Sequence, residues 1–355
     1  MKILVIALSG IGDALIFTPA LNLLRKHYPT AQIDALVMYK GAKDIYDRNK
    51  NLNKIIHFNF LKKGSLKSLN FVLKLRGKYD TTINVYPSNR KEYNIISCLI
   101  GAKTKAAVKY LRMDKQNLGW FNNCRIDEDD SLHNVQTNIK LIEKIIGEKL
   151  SEQPDFEFEL SEDDNSTASN FLNEKNILKN DIVIGFHPGT SVLKNHIKRR
   201  WEPEKFTALG KKLISELNCK VILFGGPDER QLKENIKADI NSDKVFTTIG
   251  LNLGQSAGVM KRCNVFVSND SSLLHVASAL KLKVVGIIGP TNTNYIHPWN
   301  TEYKIASLNL ECSPCFIYSP KPLTCKREDL KFKCIKELNV DLVFNSVKEF
   351  LINAG

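Results

Sequence analysis

The run from Ile3 to Leu8 is unbroken apolar sequence. It gives way to Ser9-Gly10-Ile11-Gly12-Asp13, after which apolar residues return at helical spacing. A short apolar run bounded by glycines reads as a buried strand, and the glycine pair as a tight turn into a helix. In an open α/β sheet such a turn opens onto the crevice at the carboxyl ends of the strands, where ligands bind. Asp13 is therefore expected at that crevice, although a helix cap would call for the same residue type. A dinucleotide fingerprint needs a third small residue, but Leu15 stands there. No acid ends the next strand, Ile33 to Met38, to hold a ribose. The turn is Rossmann-like, yet it argues against NAD and so against a nicotinamide oxidoreductase.

Alternation of strands and helical patterns continues along the chain. Ile3 to Leu8, Ile33 to Met38, Lys54 to Phe58 and Thr81 to Val85 read as strands of a first half. Asp181 to Phe186, Lys220 to Phe224, Lys244 to Thr248, Asn264 to Ser268 and Lys283 to Ile288 read as strands of a second. This implies an α/β fold with parallel sheets and crossover helices. An acidic, polar stretch from Ser161 to Ser169 marks the boundary, giving domains at 1–160 and 161–339. The segment 340–355 is a terminal helix, read over Val340 to Ile352. Thr18-Pro19 reads as N-cap and first position of a fresh or kinked helix. Lys2 before an apolar run imitates a secretory signal, but Asp13, two glycines and the lack of an Ala-x-Ala site argue otherwise. With no apolar run long enough to span a bilayer, the chain is expected to be soluble and cytoplasmic.

The net charge of +13 is localised. Residues 40–120 carry 18 Lys+Arg against 5 Asp+Glu, which leaves the rest of the 355-residue chain balanced. Such a field suits an anionic partner, whether nucleic acid, an acidic lipid surface or a phosphorylated glycan; a solvated lysine-rich face without a partner would look the same. A polyanion-binding module for nucleic acid would use that face, but no recognition motif or stacking-aromatic array accompanies it.

Three loops in the second half carry chemistry. His187-Pro188-Gly189-Thr190-Ser191 is followed by Lys194, His196, Lys198, Arg199, Arg200 and Trp201. Small residues, hydroxyls and cations in that order suit a diphosphate, and no lysine stands at Walker spacing. A basic solvated turn with Trp201 packed on the domain is the plainer alternative. In Gly225-Gly226-Pro227-Asp228-Glu229 an acid could accept from ribose hydroxyls or merely complement a helix dipole. Asn269-Asp270-Ser271-Ser272 opens an apolar helix, so Ser271 and Ser272 are phosphate candidates. Asp270 fits a cap or sugar hydroxyls, and His275, inside the helix, fits a packed histidine. Of eight cysteines, Cys312, Cys315, Cys325 and Cys334 cluster. Four thiolates can hold structural zinc or an iron–sulfur centre, and unmetallated thiols fit the spacing equally. Cys98, Cys124, Cys219 and Cys263 read as small core residues.

Taken together, LSGIGDALIFTPALNLLRKHYP, HPGTS with KRRWEPEKF, FGGPDE and SNDSSLLHVASALKLKVVGIIGPTN resemble the heptosyltransferase family, glycosyltransferase family nine, over nearly the whole chain. The resemblance implies a GT-B fold, two Rossmann-like parallel-sheet domains facing across a cleft. It implies metal-independent, inverting transfer of a sugar, typically heptose from an ADP-activated donor, to the lipopolysaccharide core; other nucleotide sugars also serve in the family. Asp13 matches the general base. Thr190, Ser191, Lys198, Arg199, Asp228, Asp270, Ser271, Ser272 and His275 fall in the donor motifs. Gly10, Gly12, Arg90 and Lys91 are expected at the acceptor. Arg199 stands where the family has lysine, and Ser272 where it usually has glycine. An anionic glycolipid acceptor at the inner membrane surface would account for the basic first half, making the chain a peripheral membrane protein with no nucleic-acid partner. Similar cysteines recur in relatives, and no cofactor is needed for catalysis.

Overall fold

Two six-stranded parallel sheets absorb the apolar runs. The computed structural model describes residues 1–352, so the end of the expected segment 340–355, residues 353–355, lies outside the described residues. The first sheet comprises β1 (Lys2–Ala7), β2 (Gln32–Val37), β3 (Lys54–His57), β4 (Thr81–Asn84), β5 (Thr104–Lys109) and β6 (Cys124–Asp127), ordered β3-β2-β1-β4-β5-β6. The second comprises β7 (Val183–His187), β8 (Lys220–Leu223), β9 (Val245–Thr247), β10 (Val265–Asn269), β11 (Lys283–Ile287) and β12 (Tyr303–Ala306), ordered β12-β11-β10-β7-β8-β9. Read from its first strand, each sheet has the doubly wound order, in which the chain reverses direction across the sheet beside the first strand. Those reversal points lie between β1 and β4 and between β7 and β10.

Ile3 to Ile6 and Val183, Ile184, Val265, Phe266 and Val267 are fully buried, as strands covered on both faces must be. Three strands escape the periodicity. β5 reads Thr-Lys-Ala-Ala-Val-Lys, with polar ends around three buried residues. β6 is half-exposed at the sheet edge, and β12 opens on an exposed Tyr303.

The chain forms two compact units, one of residues 1–158 with 317–320, the other of 159–316 with the chain from 321 on. The returning segment is held in the first unit by Tyr318. Its hydroxyl accepts from Asn134 Nδ2 at 2.8 Å, its carbonyl accepts from Asn89 Nδ2 at 2.8 Å, and its ring meets Tyr86 edge-on. In the second unit the helix Val340–Ile352 buries Val343, Phe344, Val347 and Phe350 in the core built around Phe186, Trp201 and Phe206.

Candidate active site

In the first unit the helix Ile11–Ile16 begins just past β1, with extended Gly10 as its N-cap. Capping is thus not the task of Asp13, which lies in the first turn, where the helix dipole favours a carboxylate. The helix is seated close to its neighbour because Gly41 has no side chain: a Cβ there would come within 2.4 Å of Ile11. The loop after β4 reaches the same reversal point. Ser9 Oγ lies 2.7 Å from Tyr93 Oη and donates to the Pro87 carbonyl at 3.4 Å. Tyr46 and Tyr93 are buried phenols held well above their usual range, by burial first and also by the charge of Asp13. The Arg90 charge acts on Tyr93 in the opposite sense. Asp13, Ser9 and Arg90 therefore share one neighbourhood. The Arg90 Nε is buried without a hydrogen-bond partner, 3.8 Å from Glu92, while Lys91 is exposed. One boundary shifts: Phe17, not Thr18, is the N-cap of the helix Thr18–His27. Thr18 Oγ1 instead donates to Leu15 O and accepts from Glu157 N.

In the second unit the three expected loops leave β7, β8 and β10, which are neighbours in the sheet. Thr190 is buried and its hydroxyl is spent inside its own loop, donating to His196 O and accepting from Arg200 Nε, each at 3.2 Å. Arg200 also donates to the Thr190 carbonyl at 2.7 Å. Arg199 is committed as well. Its Nη1 lies 2.5 Å from Asp270 Oδ2, which also accepts from Thr291 Oγ1, and its guanidinium sits 5.2 Å over the ring of Phe316. Asp270 therefore does not cap the following helix. Lys198 and Ser191 are exposed, and Lys198 has no partner among the described residues.

Ser271 is the N-cap of the helix Ser272–Ala279, but no side chain caps that helix. Its first N–H groups are thus available to an acceptor, as helix starts require. His275 is buried in the same helix, and burial, with a smaller push from His297, brings it down to about 4 against the opposing pull of Asp270. Asp228 is exposed in the turn Pro227–Glu229. Its neighbour Glu229 points inward: its Oε2 accepts from Gly226 N at 2.9 Å and lies 3.1 Å from His187 Nε2. A Cβ at Gly189 would fall 1.7 Å from Glu229 Oε1, and one at Gly225 would fall 2.4 Å from Oε2. These glycines thus make room for a carboxylate of the protein itself; at Gly189 the sequence suggested close approach of a phosphate instead. His187 and Asn269 fall in loops that the sequence singled out, but sequence reasoning assigned neither of them a role. Asn269 ties the loops together, donating to Pro188 O and accepting from Trp201 N. Fully buried Trp201 donates to Leu338 O at 2.9 Å, so its role is packing.

The four clustered thiols influence one another. Cys334 is pushed up to about 11, by burial first and then by the other three. Yet no three His, Cys, Asp or Glu among the described residues form a group that could hold a metal ion. Cys312, Cys315, Cys325 and Cys334 are placed here as free thiols, which corresponds to the unmetallated reading of the cluster. Cys325 Sγ accepts from Phe332 N at 3.2 Å, Cys312 Sγ accepts from Arg327 at 3.6 Å, and Cys334 is packed in the core. Of the four remaining cysteines, Cys219 and Cys263 are buried, whereas Cys98 is exposed and Cys124 half-buried, so these two are not core residues.

Residues 69–323 match the family model described as glycosyltransferase family 9 (heptosyltransferase). The lipooligosaccharide heptosyltransferase 2 of Haemophilus influenzae is 23% identical over 324 residues, spanning 87% of this chain and 89% of that protein. Among solved structures, the E. coli ADP-heptose LPS heptosyltransferase II superposes with a TM-score of 0.74 at 21% identity, covering 100% of this chain and 99% of that one. The iron-containing dodecameric glycosyltransferase TibC from enterotoxigenic E. coli gives 0.57 at 12% identity, covering 100% and 77%. Both likenesses concern the fold, and the fold is GT-B.

Proposed function

Because this chain belongs to glycosyltransferase family 9, the heptosyltransferases, we propose that it moves heptose from ADP-heptose onto a lipopolysaccharide core or related surface glycan, inverting the anomeric centre without a metal in the chemical step. The reading is carried by the second unit's reversal point. There an uncapped helix start at Ser271 and Ser272 lies at a turn bonded to the loop that bears Lys198. N–H groups and a cation gathered in this way can take up the charge that develops on a departing diphosphate. Ser191 and Asp228 are exposed on the flanking loops for further donor contacts.

In the first unit Asp13 is assigned as general base. Displacement at the anomeric carbon requires the acceptor hydroxyl to lose its proton as it attacks, and a carboxylate suffices because the centre is oxocarbenium-like. Arg90, with Lys91 beside it, is assigned to an anionic group on the acceptor, with Gly10 and Gly12 keeping the turn open.

Such an acceptor is anchored in an anionic bilayer, and the composition of one segment of the first unit supports attachment to it. From Phe60 to Lys78 the chain has six Lys+Arg and no acid. The helix Ser65–Leu73 turns Phe71 and Val72 inward, with Phe71 stacked on Phe58, while Leu66 is 84% exposed and Leu69 and Leu73 also face out. A basic helix with an apolar outer stripe fits peripheral attachment. No helix among the described residues is long and apolar enough to cross a membrane.

The test uses a panel of nucleotide sugars with the wild type and Asp13→Asn. ADP-heptose is expected to raise the melting temperature of both proteins, through mass action on the folded state, while only the wild type transfers sugar. A larger shift with NAD, or full transfer by Asp13→Asn, would refute the assignment.

A further inference from the structure

The hydroxyl of Ser271 is held on two sides. Its Oγ lies 2.7 Å from His187 Nδ1 and 3.1 Å from Ser268 Oγ, while His187 Nε2 lies 3.1 Å from Glu229 Oε2. His187 is 3% exposed. Glu229 is wedged against Gly189 and Gly225 and cannot turn away without losing the bond from Gly226 N.

The hydrogens in this chain can be counted. Ser268 donates its one hydroxyl hydrogen to the Asn269 carbonyl at 2.8 Å, so towards Ser271 it can only accept. Burial would raise the Glu229 carboxyl, but the bond from His187 and its charge when protonated, the bond from Gly226 and the charge of Arg200 hold it below its usual range. The carboxylate is thus ionised and accepts, which places a hydrogen on His187 Nε2. Only Nδ1 is left to vary. In neutral imidazole Nδ1 is a lone pair, and Ser271 donates to it, presenting only oxygen lone pairs to the helix start. In imidazolium Nδ1 donates instead, and the serine hydrogen turns either to Ser268 Oγ or, in a stronger charge-assisted bond, to an anion at the helix start.

We propose that Glu229, His187 and Ser271 form a proton-linked relay in which His187 takes a proton from solvent when a diphosphate binds at the helix start, converting Ser271 from acceptor to donor. The proposal rests on the donor-site reading above. His187 acts through Ser271, so it is a positioning residue. The other charged groups around it are already committed. Arg200 stands 3.8 Å from Glu229 Oε1, Lys233 donates to Gly225 O, and Asp270 is paired with Arg199. As the leaving group gains charge, a donating Ser271 gains in strength, which an accepting one would not.

The test is 15N NMR of the histidine rings in the full-length protein, with His187 assigned among the seven histidines through His187→Asn. Where the ring is neutral, the free protein should show the Nε2–H tautomer. ADP should raise the His187 midpoint by about one pH unit or more, and ADP affinity should increase about tenfold as pH falls through that range. Ser271→Ala should abolish the linkage and Ser271→Thr, which keeps the hydroxyl, should preserve it. An Nδ1–H tautomer, or ADP bound with the midpoint unmoved, would overturn the relay alone. A wild type that fails to bind ADP would overturn the donor-site reading and the relay with it.

Discussion

Four Lys or Arg residues fall between Lys194 and Arg200, and the structure gives them unequal work. Arg199 is neutralised by Asp270, Arg200 braces Thr190, and Lys194 is half-buried, which leaves Lys198 exposed. Lys198→Ala is expected to lower kcat by roughly 10- to 100-fold, with a smaller change in KM, because its charge matters most as the diphosphate departs. Steady-state kinetics with ADP-heptose checks this, and a change confined to KM would count against it. Burial also sets a pH limit. His275 is neutral in the fold, held down to about 4, whereas the unfolded chain binds a proton near 6.5. Its contribution is therefore complete above pH 6.5 and is lost as pH falls towards 4. The amount is about 3 kcal/mol from a shift of about 2.5 units. Urea unfolding at pH 7.5 and 4.5 should show this loss, and His275→Asn should flatten it. Asp13 and the serine pair could be read from residue type beside a turn. His187 could not, because a histidine closing an apolar strand has no local signature, and its partner Glu229 lies 42 residues away.

At the scale of loops and helices, the glycines that drew attention in the sequence answer to an internal demand. Gly189→Ala should push Glu229 off His187 and cost roughly 1–3 kcal/mol, the penalty for a buried polar group that loses its partner. Thermal unfolding checks the cost, and an unchanged melting temperature would mean that Glu229 relaxes freely. The helix Ser65–Leu73 supplies a second prediction. Replacing Leu66 and Leu69 together by Gln should weaken co-sedimentation with anionic vesicles at least several-fold while leaving ADP binding intact. Equal binding by the double variant would discard this surface. Strands whose residues are buried on both faces were readable from the sequence, as was the helix Val340–Ile352 to the residue. β5, β6 and β12 were not, because the apolar run of β5 is only Ala106-Ala107-Val108, and Arg125 and Lys304 interrupt β6 and β12 from within.

For the molecule as a whole, charge and connectivity matter more than any one contact. The excess of Lys and Arg over Asp and Glu within residues 40–120 makes attachment to anionic vesicles sensitive to salt. It should fall steeply as the screening length shortens from about 10 Å at 0.1 M to about 3 Å at 1 M. Binding that survives 1 M salt unchanged would assign the attachment to the leucines alone. Connectivity carries a consequence of another kind. The four residues around Tyr318 lie late in the chain yet complete the first unit, satisfying Asn89 and Asn134. Ribosomal synthesis delivers the first 158 residues long before Tyr318. The earlier-made half must therefore wait, without the two bonds that Tyr318 accepts from Asn89 and Asn134, until nearly nine-tenths of the polypeptide exists, and a gene cut at that apparent boundary would encode two pieces, neither of them whole.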